Sequence, residues 1–274
     1  YGMISRYGVV AMASSTDTVG PITRTVRDSE IIADILAGQD QRDGTVYPRY
    51  FSQIAESPSG QRIGLIEDFI GEGVDDDVAS RTNQLAQRLR ESGHRVDLVK
   101  LPMARYALAI YYIVIPAELS SNMARYDGIR YGERSPEAHR LDDVYGMSRD
   151  DGLMPENKRR IMIGSYVLSS GYYDAYYLKA QQARTLLIRQ LDKLFESYDF
   201  LLSPVSPTPA FKLGENTHDP LKMYLADAMT VPASLAGLPA ISVPNGRSKA
   251  GLPIGVQLIA PAKADAGLLA MAKQ

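Results

Sequence analysis

The chain has 274 residues, 45% of them hydrophobic and 23% charged, with a formal net charge of −2. This is an ordinary globular composition, long enough to bury a core, and its charge balance argues against a basic face that would neutralise nucleic-acid phosphates. It contains no cysteine, which excludes disulfides, thiolate catalysis and cysteine metal sites and suits the cytoplasm.

His94, His139 and His218 stand far apart without the spacing of a metal-ligand pair, so no metal site is expected. The longest apolar run, Tyr106 to Pro116, is well short of the ~20 residues of a membrane span.

From the amino terminus, Tyr1 to Gly20 reads as a strand or extended segment entering a tight loop at Gly20-Pro21. Thr25 with Asp28 three positions on forms a capping-box pattern. Val26, Ile32, Ala33, Ile35 and Leu36 then recur at helical spacing up to Gly38. Asp40 to Pro58 is polar and predicts a surface loop.

Gln61 to Ile66 reads as a buried strand, Asp75 to Ser92 as a helix with its apolar face on Val78, Thr82, Leu85 and Leu89, and Arg95 to Val99 as a second strand. A crossover of this length predicts parallel pairing. The three aspartates 75–77 complement the positive end of the helix dipole.

Ala104 to Asn122 predicts a helix interrupted or kinked at Pro116, and 125–157 is polar without a sustained period, an irregular insertion. Arg160 opens a tyrosine-rich run carrying Tyr166, Tyr172, Tyr173, Tyr176 and Tyr177, which passes into an amphipathic helix reaching Tyr198. Asp199 to Pro204 is a buried strand. Asp219-Pro220 starts a helix that carries Asp227 and breaks at Pro232. Pro239–Pro244 and Pro253–Pro261 are strands around a loop, Asn245 to Leu252.

The chain has no nucleophile elbow, P-loop or dinucleotide fingerprint. These features predict an α/β protein. It opens at Tyr1-Gly2-Met3 and stops inside a helical pattern, so a truncated piece of a longer chain is expected.

Several runs, in order, carry a resemblance: Ser5-Arg6-Tyr7-Gly8, Ala13-Ser14-Ser15, Ala117-Glu118, Ser120-Ser121-Asn122, Arg159-Arg160-Ile161, Leu168 to Tyr177, Leu235 to Pro239 and Gly251 to Gln257. They resemble the amidase-signature family, and within it the A subunits of the tRNA-dependent amidotransferases. The resemblance implies one domain over 1–274, truncated at its amino end. Its sheet would be mixed and largely parallel, covered by helices on both faces.

The same resemblance implies glutamine hydrolysis supplying ammonia to convert Glu-tRNA(Gln) or Asp-tRNA(Asn). Subunits B and C would be the partners, and charged tRNA would be met mainly through the partner subunit. ATP and Mg would be used by that partner, with no cofactor in this chain and no membrane contact. Arg160 is similar to the arginine that holds the substrate's α-carboxylate, and Asp227 to the aspartate that holds its α-ammonium.

No residue is carried over as catalytic: nothing matches the family's Gly/Ser-rich nucleophile segment, and the chain has no Gly-Gly dipeptide. The expectation is therefore that this chain is inactive alone. Asn245 stands where relatives often have cysteine, and Met154-Pro155 replaces a glycine-containing approach to Arg160. A free-standing amidase of small amides and a non-catalytic scaffold are the alternatives.

Overall fold

A computed structural model describes residues 1–48, 59–216 and 220–274. Asp219, expected as a helix cap, lies outside the described residues, as do 49–58 of the predicted loop. The backbone divides into two compact units. One comprises Tyr1–Tyr7, Thr18–Leu108 and Arg184–Gln274; the other comprises Gly8–Asp17 and Ala109–Ala183.

The first unit is built on a five-stranded sheet. Its strands are β1 (Arg62–Ile66), β2 (Arg95–Val99), β3 (Phe200–Pro204), β4 (Ala240–Arg247) and β5 (Pro253–Ile259), in the order β2-β1-β3-β5-β4. β1 pairs in parallel with β2 and β3, while β5 runs antiparallel to both β3 and β4, so four strands share one direction. The crossover predicted the parallel β1–β2 pair, and the mixed, largely parallel sheet is the one that the family resemblance implied.

Helix α2 (Asp76–Glu91) is capped by the Asp75 carboxylate, which accepts the Asp77 N–H. It lays Ala86 and Leu89 on one sheet face, with Leu268 and Met271 of α9 (Asp265–Ala272), against Ile63, Leu65, Val96, Leu202 and Leu258. The other face is buried too: Ile66, Leu201 and Ile259 are fully covered, and Gln257 Nε2 donates to the Met229 carbonyl. Asn245 ties α2 to β4, accepting from Arg88 Nη2 at 3.0 Å and donating to the Arg81 carbonyl at 2.8 Å.

Helix α1 (Val26–Leu36) starts where the capping pattern placed it, with Thr25 Oγ1 accepting the Asp28 N–H. Its apolar set is not a core face, however. Ala33 is buried, but Ile31, Ile32, Ile35 and Leu36 are exposed.

Tyr1 to Gly20 forms no strand, only an isolated bridge between Ile4 and Ala37. β4 runs on through Arg247, past the predicted loop start at Asn245, because a bulge after Pro244 lets pairing resume.

The second unit includes residues of α3 (Ala104–Met123), α4 (Leu141–Gly152) and α5 (Pro155–Leu168), followed by a π-helical turn, Tyr173–Leu178, that leads into α6 (Lys179–Phe195). Pro116 lies inside α3 as predicted. The insertion expected to be irregular contains α4. Its N-terminus is satisfied by Asp143, whose carboxylate accepts the Arg140 N–H, and it buries only Val144 and Ser148. So narrow a buried stripe explains why no apolar period was visible.

Candidate functional site

Arg160 sits in the second turn of α5, which Pro155 opens at its first position, where a missing N–H costs nothing. One turn back, Glu156 faces it: Arg160 Nε donates to Glu156 Oε1 at 2.9 Å, while Arg159 Nη1 donates to Oε2 at 2.5 Å. One carboxylate thus holds two guanidinium groups, one on each oxygen.

The Arg160 guanidinium also lies 5.6 Å above the Tyr112 ring and bonds Tyr111. Burial works to lower its pKa, but the hydrogen bond to Glu156 and the interaction with Tyr111 outweigh this and raise it. Arg160 is a fixed cation, with only 19% of its side chain exposed.

The tyrosines that follow do not fill a core. The π-helical turn buries none of its residues. Tyr166 and Tyr172 stack at 4.3 Å, Tyr176 stands about equally far from both at 6.1 and 6.0 Å, and Tyr173 and Tyr177 pair at 5.2 Å. The hydrogen bond to Tyr172 pushes the Tyr166 phenol up to about 12.

Asp227 belongs to the other unit and is not on a helix. Helix α7 (Pro220–Leu225) ends before it, and α8 (Val231–Ala236) begins after it with Pro232 near its first position. The proline therefore opens a helix instead of breaking one. The Asp227 carbonyl accepts the Thr230 and Val231 N–H groups, which fixes the turn and leaves the residue exposed. Its neighbour Ala226 lines a cavity of about 300 Å³ with Val205, Ser206, Phe211 and Ser242. Arg160 and Asp227 are thus each placed within their own unit.

A second cavity, of about 380 Å³, lies within the unit of Arg160 and is lined by Ser14, Glu118, Ser121, Asn122, Tyr173 and Tyr177, among others. Beside it, α3 holds the segment 12–15. Glu118 Oε2 accepts the Ser15 N–H at 2.9 Å, and Asn122 Nδ2 donates to the Met12 carbonyl and to Ser14 Oγ. The sequence gives no sign of this pairing, since more than a hundred positions separate the partners. Glu156 was missed as well, although its i,i+4 spacing to Arg160 is a legible signal.

A family model described as Amidase matches residues 1–269. The chain belongs to the amidase family. A Koribacter versatilis protein, named as the A subunit of glutamyl-tRNA(Gln) amidotransferase, is 48% identical over 99% of this chain and 58% of its own length. One of the same name from Geotalea daltonii is 52% identical over 94% of this chain and 54% of its own.

The crystal structure of the Thermotoga maritima glutamyl-tRNA(Gln) amidotransferase A subunit superposes with a TM-score of 0.78 at 39% identity, over 99% of this chain and 55% of that one. This amidase-family chain therefore spans about half the length of the relatives it matches. Among the described residues no helix is long and apolar enough to cross a membrane.

Proposed function

We propose that this chain is the substrate-binding part of a glutamine-hydrolysing amidotransferase A subunit, which supplies ammonia for amidating Glu-tRNA(Gln) or Asp-tRNA(Asn) on partner subunits B and C. The observation that carries this reading is the identity of about half of all residues, across nearly the whole chain, with proteins of that name.

The geometry of Arg160 supports it. A cation held by Glu156 and set against Tyr111 and Tyr112 is pre-oriented, and with Nε engaged, its Nη edge is the one that would take a carboxylate in two-point fashion. In this reading Arg160 binds the α-carboxylate of glutamine and Asp227 its α-ammonium, so that the amide is positioned for attack. The nucleophile would come from outside residues 1–274. ATP and Mg would act on the partner subunit, and the assembly would work in the cytoplasm.

The test is a chimera in which this chain replaces the matching 58% of the Koribacter versatilis protein. Glutamine-dependent ammonia release by the chimera with its partner subunits, and none by the 274-residue chain alone, is the expected result. A chimera that hydrolyses simple aliphatic amides but ignores glutamine would replace this reading by that of a free-standing amidase.

A further inference from the structure

The cavity beside α3 has an unusual hydrogen-bonding balance. The Asn122 amide and the Ser121 hydroxyl spend their donors on the protein. Both Asn122 Nδ2 hydrogens are used, on the Met12 carbonyl and Ser14 Oγ, and the Ser121 hydroxyl hydrogen points back to the Ala117 carbonyl of its own helix. Acceptors remain. Glu118 uses Oε2 for the Ser15 N–H and keeps Oε1, Ser121 keeps its lone pairs, and Tyr177 Oη accepts from Gln181 Nε2 with a lone pair to spare.

Among the described residues no lysine or arginine lines the cavity, so no cation of its lining neutralises the Glu118 carboxylate. The rings of Tyr173 and Tyr177, with centroids 5.2 Å apart, form an electron-rich wall. A space of about 380 Å³ is that of a small organic ligand.

We infer that this cavity binds a small organic ammonium, R–NH₃⁺, with its three hydrogens toward Glu118 Oε1 and the hydroxyl oxygens and its charge against the tyrosine faces. An ammonium supplies three donors and one positive charge where the cavity supplies acceptors and one negative charge. Neither Arg160 nor Tyr111 lines it, so the site goes beyond the glutamine reading and does not depend on it.

The experiment titrates methylammonium chloride into the purified 274-residue chain, following the ring resonances of Tyr173 and Tyr177, assigned by Tyr→Phe variants. Methanol and potassium chloride serve as uncharged and ionic controls. A saturable shift of both rings with methylammonium alone is expected. Glu118→Gln should weaken it about tenfold or more, because glutamine still accepts the Ser15 N–H but lacks the charge.

Equal binding by wild type and Glu118→Gln, an equal response to methanol, or no shift on either ring would overturn the proposal. Should Glu118→Gln fail to fold, Ser121→Ala leaves the Glu118 contact intact. Weakening of at least about threefold then supports the site, and unchanged binding overturns it.

Discussion

A Cβ placed on Gly164 would stand 1.9 Å from the carbonyl oxygen of Pro116 and 2.8 Å from Ser120 Cβ. Helices α5 and α3 therefore touch backbone to backbone at this point. Any side chain at 164 must push against a carbonyl that cannot rotate away. Gly164→Ala should cost roughly 3 kcal/mol, the upper end of the overpacking range, despite the better helix propensity of alanine. Urea unfolding would measure it, and a variant as stable as the parent would mean the helices separate freely there.

Glu30 of α1, only 3% exposed, takes the Lys273 ammonium at 2.5 Å. Removing the lysine strands a buried carboxylate, so Lys273→Met should cost about 3 kcal/mol. Converting both residues to methionine removes the charge with its partner and should restore most of that loss. A double-mutant cycle on unfolding midpoints reads the coupling. Additive single effects would show that the pair contributes nothing as a pair.

Asp43 predicts a pH effect. The Thr45 hydroxyl and the N–H groups of Arg6 and Thr45 bond its carboxylate and lower its pKa from 3.8 to about 2. A carboxylate with a depressed folded pKa stabilises fully above its unfolded value and loses that contribution as pH falls through the folded one. The Tm difference between the parent and Asp43→Asn should thus be constant above about pH 5 and shrink towards about pH 2. A difference that grows on acidification would reverse the assignment.

Legibility followed local chemistry. β1 and β3 were readable as short, continuously apolar runs and α2 by its helical stripe, and the Asp75 cap marks the start of α2 by type alone. Pro232 was misread because a proline ends one helix and opens another equally well, and only the turn at Asp227 decides. The isoleucines of α1 have core spacing yet face outward, since periodicity defines a face without saying what covers it. At the candidate site, Arg160 was found by resemblance and Glu156 follows from spacing. The hold of Glu118 on Ser15 spans 103 positions and has no local trace.

In the chimera, Arg160→Lys should lower kcat/KM for glutamine roughly ten- to hundredfold, because lysine keeps the charge but loses the planar fork. Glu156→Gln should act in the same direction and less strongly, by loosening the guanidinium without removing it. Unchanged kcat/KM for Arg160→Lys would take the residue out of the site.

Asp227→Asn separates two substrates. If Asp227 meets the α-ammonium, the change should cost glutamine on the order of 2–5 kcal/mol in kcat/KM. Glutaramic acid, which has no α-amino group, should lose far less. Equal losses for both would leave Asp227 a turn residue, as its carbonyl bonds to Thr230 and Val231 already make it.

The parallel pairing of β1 with β3 has a consequence for how the chain is made. Residues 100–199, one hundred in all, lie between the end of β2 at Val99 and the start of β3 at Phe200. At a synthesis rate of about 5–20 residues per second, β1 and β2 leave the ribosome roughly 5–20 seconds before the strand that closes them. Throughout that interval the apolar run Ile63 to Ile66 presents an open strand edge. Chaperones that shield such edges should therefore raise the protein's yield, and a shortage of them during rapid expression should leave more of it in inclusion bodies, whatever the stability of the finished fold.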